Sequence, residues 1–287
     1  MKTTIERNTL ATSLTTSVIY GYDRIKLWID RPELPFNKSR LAPHCIGIDV
    51  LLGQMKYQAR WKLKLDIFQP TIDCLRLLRD GLGNDIATIL TYAENACDIS
   101  ATTQKKALQR ETAFLASARM RYQRQPVILE DNTTTWYYGR RSGQAKASAN
   151  VMALYSDKPS KLNNARPLVG APYCFHREWR ATGSAALVHI GLVSLDDLIN
   201  FDHERFWDTY LRMYQLPKPT QLGRILAQVA GADSDVSGTA LRKRAARWKS
   251  AHNIDGHFIM HNALLGMPEL VKRFSYTSIS DWLESLS

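Results

Sequence analysis

The sequence predicts an α+β fold: an antiparallel central sheet flanked by helices, followed by a helical C-terminal segment. Three observations carry this reading. Stretches of period-two alternation recur through the first two hundred residues, the clearest being YDRIKLWID (22–30). Amphipathic helical patterns with end signals interrupt them at 70–83 and 102–123. From about residue 194 the texture changes, and helical patterns follow one another to the end. The implied organisation is a flexible arm over 1–20, an α+β domain over 21–200 and a helical region over 201–287.

Taken in order, the start of the chain is polar and Thr-rich. Strand 22–30 places Ile25, Leu27 and Ile29 on one face and is stopped by RPELP (31–35). CIGIDVLLG (45–53) and YQARWKLKLDIFQ (57–69) read as two further strands. PTIDCLRLLRDGLG (70–83) has Pro near a helix start and Gly at its end. DIATILTYAENACDISA (85–101) is the next strand. Leu108, Phe114, Leu115 and Met120 give 102–123 a helical spacing. TTTWYYGRR (133–141) and ANVMALYSD (149–157) read as paired strands, and YCFHREWRATG (173–183) as another. Beyond it, 194–215, 220–231, 237–253 and 278–287 all read as helices.

Composition narrows the function classes. With 45% hydrophobic and 23% charged residues the chain has an ordinary soluble make-up. Its 38 Lys+Arg against 27 Asp+Glu give a net charge of +11, which favours a polyanionic partner, nucleic acid or an acidic membrane surface. The four cysteines, Cys45, Cys74, Cys97 and Cys174, form no C-x-x-C pair and read as reduced core residues of a cytosolic protein. The first sixteen residues contain no apolar run of a secretory signal. The most apolar stretch, AALVHIGLVSL (185–195), is too short to span a bilayer.

The chemistry-bearing residues lie on strands. In TYAENACDIS (91–100) the period of two puts Glu94, Ala96 and Asp98 on one face. In YCFHREWR, Cys174, His176, Glu178 and Arg180 share a face, with Phe175, Arg177 and Trp179 on the other. In VMALYSDK (151–158), Val151, Ala153 and Tyr155 share a face and Lys158 follows. Carboxylates crowded on neighbouring strands repel unless protonated, neutralised by Arg or Lys, or bridged by a hard divalent cation such as Mg²⁺ or Mn²⁺. Such a cation can polarise a phosphodiester, and a tyrosine beside it can act as a covalent nucleophile. Periodicity alone leaves ion pairing with Arg177, Arg180 or Lys158 as an equal alternative.

Four elements, YAENACD (92–98), YYGRRSG (137–143), MALYSDK (152–158) and HREWR (176–180), occur in an order and spacing that resembles the Rep_trans, or replication-initiation-factor, family. These are rolling-circle initiators of small plasmids, filamentous phages and their satellites. The resemblance covers about residues 20–200, and the Glu-x-Arg form of the last element looks more like the phage branch. It implies a nicking-endonuclease-like sheet domain that cuts one origin strand through a 5′-phosphotyrosine and later rejoins it. By match, Tyr155 is the nucleophile with Lys158 beside it, and Glu94, Asp98 and Glu178 hold a divalent ion, Mg²⁺ or Mn²⁺. The implied partners are origin DNA, single-stranded or hairpin at the nick, and the host helicase and replication machinery. A bacterial cytoplasm, no membrane, and room for a homodimer complete the expectation. The chain departs from the family in having Glu94 where relatives often have Asp, and Tyr92-Ala93 where an Arg usually precedes that acid. Tyr137 and Tyr138 compete with Tyr155 as nucleophile.

The remaining candidates are weaker. His176 can ligate or tune a metal, although a buried structural role is the commoner one. His252, His257 and His261 lack the spacing and the cysteine partners of a zinc site. Arg140, Arg141 and Ser142 sit at a turn and can bind DNA phosphate, as can Arg177 and Arg180 on the last strand. LRKRAARWK (241–249) offers Arg242, Arg244, Arg247 and Trp248 for DNA contact in a helix-turn-helix-like unit with 220–231. Two rival readings remain: a non-catalytic, sequence-specific DNA-binding regulator, and a metal-dependent nuclease that uses water.

Overall fold

The computed structural model describes residues 18–53, 55–56, 58–130, 134–140, 148–157, 172–232, 236–254 and 257–285. The N-terminal residues 1–17 and the candidates Arg141, Ser142 and Lys158 lie outside the described residues.

The strands are β1 (Val18–Ile29), β2 (Gly47–Leu52), β3 (Leu63–Phe68), β4 (Thr88–Ala101), β5 (Ala118–Met120), β6 (Val127–Leu129), β7 (Trp136–Tyr138), β8 (Asn150–Tyr155) and β9 (Tyr173–Thr182). Among the described residues an antiparallel sheet runs in the order β2-β3-β1-β4-β9-β8-β7-β6. Of its long central strands β1, β4 and β9, the last two carry the candidate acids Glu94, Asp98 and Glu178. Helix α1 (Ile72–Leu82) starts where the Thr71 side chain accepts from the Cys74 amide and ends at Gly83, and it buries Cys74, Leu75, Leu78 and Leu82. Helix α2 (Gln104–Ser117) is capped by Thr103 and sends Phe114 against Phe175, Tyr138 and Trp282. The predicted fold class is thus the observed one, and the four cysteines are buried and unbridged.

Four boundaries differ from the sequence reading. The arm is shorter than expected, because Val18–Tyr20 already pair with Cys97–Ile99. Residues 58–62 turn back on themselves, with the Trp61 indole donating to Gln58, so the predicted strand 57–69 begins only at Leu63. The helix predicted over 102–123 stops at Ser117. Ala118–Met120 is drawn into pairing with the later strand β10 (Leu211–Tyr214), and Leu108 faces solvent. The expected helix 194–215 is broken into two. After α3 (Ser184–His189), a capping box between Ser194 and Asp197 starts α4 (Leu195–Ile199), and Asp202 caps a separate α5 (His203–Tyr210).

The predicted domain border near 200 also gives way. α5, β10, β13 (Tyr276–Thr277) and α10 (Ile279–Glu284) belong to the main body: Trp207, Leu211, Ile279 and Trp282 sit in the same hydrophobic core as the sheet. The excursion lies between them: α6 (Pro219–Val229), α7 (Gly238–Ala251), the β11 (Asn253–Ile254)–β12 (His257–Phe258) hairpin, α8 (Met260–Leu264) and α9 (Pro268–Val271). It has its own cluster of Leu222, Ala245, Met260, Leu264, Leu270 and Phe274. α6 and α7 touch backbone to backbone at Gly223, where a Cβ would stand 2.1 Å from the Leu241 carbonyl oxygen.

Candidate active site on the open sheet face

The pairing register assembles the site. Across β4 and β9, Glu94 lies opposite Arg180, Ala96 opposite Glu178 and Asp98 opposite His176. Across β8 and β9, Val151 faces Arg180, Ala153 faces Glu178 and Tyr155 faces His176. Directly opposed residues in an antiparallel pair share a face. One face of the central sheet therefore gathers Glu94, Asp98, Tyr155, His176, Glu178 and Arg180. β1 adds a seventh group through a β-bulge: the register slips between Tyr22 and Arg24, and the extra residue is Asp23. The opposite face holds Cys97, Phe175, Arg177 and Trp179 in the core.

Asp23, His176 and Glu178 each offer a ligand atom, and these atoms lie within 4.8 Å of one another. The imidazole is held from both sides. Its Nδ1 meets the Asp98 carboxylate and its Nε2 lies 3.2 Å from Glu178 Oε2. Tyr155 stacks on it, the ring centroids 4.3 Å apart. The Arg180 guanidinium chelates Glu178 Oε1 (Nε at 2.6 Å) and stands 3.5 Å from Glu94, whose other neighbour is the Tyr92 hydroxyl. Above these groups is a cavity of about 320 Å³ lined by Asp23, Arg24, Glu94, Tyr137, Tyr155, Glu178 and Arg180, with Phe68 and Thr135. A basic rim borders it, since Arg24, Lys26 and Lys64 converge on Asp66 on the same side of β1 and β3.

Crowding decides the protonation states. Burial and the charge of Glu178 push Glu94 up to about 8, against the pull of Arg180. Burial would raise Glu178 too, but His176 and Arg180 outweigh it and hold the carboxyl at about 2. Burial works against a charged His176, yet Asp98 and Glu178 lift it well above the usual imidazole value. Burial and the charge of Glu178 raise Asp23. The Tyr155 phenol is pushed far up by burial and by Glu178, Asp23 and Asp98. A buried site with this much negative charge opposes a phenolate, and a bound cation would reverse that sign.

The expected metal set Glu94, Asp98 and Glu178 is therefore redistributed. Glu178 stays in the cluster. Asp98 is buried beneath His176 and presents its carboxylate to the ring nitrogen rather than to the cavity. Glu94 is turned to Tyr92 and Arg180. The atoms that gather with Glu178 within 4.8 Å of one another belong instead to His176, for which the sequence favoured a structural role, and to Asp23, which the sequence reading missed. A bulge is the reason: strict alternation hides an extra residue in a strand. The donor set of two carboxylates and one imidazole, with a third carboxylate, Asp98, fixing that imidazole, fits a divalent cation, and its nitrogen suits Mn²⁺ better than Mg²⁺.

Other candidates are sorted by burial. Tyr137 lines the cavity and its ring meets Arg180, whereas Tyr138 is fully buried on the core face. Arg177 must be withdrawn as a DNA contact. Its side chain is fully buried, lies 4.7 Å from the Trp207 ring centroid, and donates to Cys97 Sγ. On α7, Arg242 and Arg247 are exposed, while Arg244 and Trp248 are half-buried, Trp248 against Phe274. Arg140 is exposed at the end of the β7 strand. His252 bonds to the Trp248 carbonyl and His261 to that of Gln125, so neither joins a metal cluster among the described residues.

No helix among the described residues is long and apolar enough to cross a membrane. No protein-family model matches the chain, and no curated protein matches it. Among solved structures it is similar to a rolling circle replication initiator protein from Geobacillus stearothermophilus, at 10% identity over 70% of this chain and 88% of that one, with a TM-score of 0.38.

Proposed function

We propose that the protein is a metal-dependent DNA strand-nicking and strand-transfer enzyme of the replication-initiator type, with Tyr155 as nucleophile. The observation that carries this is the joint placement of the Asp23–His176–Glu178 cluster and the Tyr155 ring stacked on His176, with Asp23, Glu178 and Tyr155 lining one polar cavity. The order of the sequence motifs supports the same reading.

When bound, a divalent cation would neutralise the pocket acids and polarise a phosphodiester. Asp23, His176 Nε2 and Glu178 would hold it, and Asp98 fixes the imidazole tautomer that leaves Nε2 as the donor atom. Arg180 and Arg24 orient the phosphate. The Tyr155 oxygen attacks phosphorus and passes its proton to Asp23. The P–O3′ bond breaks, leaving a 5′-phosphotyrosine. Glu94, protonated near neutral pH, gives a proton to the departing 3′ oxygen. The reverse sequence rejoins the strand without ATP, because the ester bond is conserved.

The excursion supplies a second DNA surface in this reading. Arg242 and Arg247, with Lys243 between their positions, lie on the exposed side of α7, next to a β-hairpin. Origin DNA is the proposed partner, with a host helicase, in a bacterial cytoplasm. The test is incubation with single-stranded origin-like DNA and Mn²⁺, followed by denaturing electrophoresis. An SDS-resistant adduct that maps to Tyr155 and vanishes in Tyr155→Phe is expected. An adduct that survives Tyr155→Phe and vanishes in Tyr137→Phe moves the nucleophile to Tyr137. Cleavage without adduct supports a water-using nuclease, and binding without cleavage a regulator.

A further inference from the structure

On the far side of the sheet from the acidic cavity, the segment 121–127 borders two adjoining hollows. One, of about 260 Å³, is walled by Tyr122, Trp179, His189 and Tyr210, with Gln123, Gln125, Ser148 and Asn150 among its polar members. The other, of about 490 Å³, shares Tyr122 and Gln123 and is lined by Arg119, Arg121 and Arg124, with no acid among its lining residues. Tyr122 stands at the junction. Its ring meets the edges of His189 and Tyr210, at 5.9 and 5.7 Å between centroids, yet it is 57% exposed. The Arg121 guanidinium lies over the same ring, 5.4 Å from its centroid.

The segment is fastened along its length. Gln123 donates to the carbonyls of Tyr138 and Asn150, and it fits there because residue 139 is glycine: a Cβ at Gly139, where φ is +107°, would stand 2.1 Å from the Gln123 amide nitrogen. His261 donates to the Gln125 carbonyl, and the Asn262 amide pairs with both backbone groups of Val127. Arg121 itself is held by the Thr209 carbonyl. An exposed aromatic ring is thus kept in place beside three guanidinium groups, in a chain of net charge +11. Aromatic platforms next to arginines are how proteins hold single-stranded nucleic acid: the ring stacks a base and the cations track the phosphates.

We propose that this groove binds single-stranded DNA, with one base on Tyr122 and the flanking phosphates on Arg121 and Arg124. The proposal rests on the nicking function for its choice of polyanion, and it places the strand on the face opposite the acidic site, so that DNA wraps the edge formed by β8, β7 and β6.

The test measures fluorescence anisotropy of a labelled ten-nucleotide oligo-dT and of a duplex of equal length. Full-length Tyr155→Phe protein in EDTA is used throughout, so that neither nicking nor metal contributes. Tyr122→Ala, an exposed position whose folding is checked by thermal melting, is expected to weaken oligo-dT binding roughly tenfold to a hundredfold and to leave duplex binding unchanged. Arg121→Ala/Arg124→Ala is expected to lower the salt slope of oligo-dT binding by about 1.4. Unchanged oligo-dT binding in Tyr122→Ala, or equal losses for single strand and duplex, overturns the proposal. The nicking function fails separately, through absence of the Tyr155 adduct in wild-type protein.

Discussion

Asp98 and His176 face each other across β4 and β9, and the carboxylate meets Nδ1 in a site that is buried on both sides. The acid that the sequence nominated as a ligand thus holds the imidazole ring. A first prediction separates the two roles. Asp98→Asn keeps the shape but removes the negative charge from the acceptor of Nδ1–H, and is expected to weaken Mn²⁺ binding roughly tenfold to a hundredfold. Glu94→Gln is expected to leave Mn²⁺ affinity within about threefold, a small change on the scale where tenfold is about 1.4 kcal/mol. Calorimetric titration with Mn²⁺ reads both. Equal, complete loss in the two variants would restore the original assignment of Glu94 and Asp98 as direct ligands.

Arg177 carries a charge into the core, and no carboxylate pairs with it among the described residues. Nη2 reaches Cys97 Sγ, while Nε and Nη1 have no hydrogen-bond partner among the described residues. The compensation is the Trp207 and Phe114 rings, 4.7 and 5.7 Å away. Replacing a buried ion by an apolar chain of similar length is often neutral or stabilising by about 1–4 kcal/mol. Arg177→Met should raise the denaturant midpoint or leave it unchanged, and should leave duplex binding intact. A loss above about 3 kcal/mol would show that the rings and the thiol fully repay desolvation.

How much of this was legible in the sequence follows from what kind of order each feature obeys. Period two placed Glu94 with Asp98, and His176 with Glu178 and Arg180, and the register then stacked those faces as expected. The same logic put Arg177 on the other face, but a basic residue on a strand looks the same whether its neighbours are Trp207 and Phe114 or solvent. Asp23 was invisible, because YDRIKLWID reads as plain alternation from Tyr22 onward and the bulge arises only when β1 is fitted between β3 and β4. Helix 102–123 was overextended because the pairing of Ala118–Met120 with Leu211–Met213 comes from a segment 90 residues away. No local propensity encodes that.

Gly223 provides a third prediction. α6 and α7 are close enough that any side chain at this position meets the Leu241 backbone. Ala has the better helix propensity, and on an exposed face Gly223→Ala would stabilise by about 1 kcal/mol. Here overpacking should dominate and destabilise by roughly 1–3 kcal/mol. Because Arg242 follows Leu241 directly, separation of the helices should also weaken duplex binding. A variant with a higher midpoint than wild type would refute the close approach.

The last prediction concerns acid stability, through His203 and His261. Burial pushes both imidazoles down to about 4, and Arg119 adds to the effect at His261. His203 Nδ1 lies 2.5 Å from Asn95 Oδ1, with the Tyr22 and Phe201 rings around it. His261 is fully buried against Tyr138, with Nε2–H donating to Gln125 and Nδ1 unpartnered among the described residues. Each folded-state value is below the unfolded one. Their stabilisation is therefore complete above the unfolded imidazole value and is lost as pH falls from there through about 4. Between pH 7 and pH 5 the loss is about 2 kcal/mol per group. Glu94 changes stability in the opposite direction over part of this range, since its pKa is raised, so wild type alone is not diagnostic. The difference between wild type and His261→Gln removes that contribution. Gln can still donate to the Gln125 carbonyl and does not titrate. Denaturation at the two pH values should show the variant gaining about 2 kcal/mol on wild type at pH 5 relative to pH 7. A difference that stays constant with pH would mean that the His261 pocket admits the proton, and that burial there is not what holds the imidazole neutral.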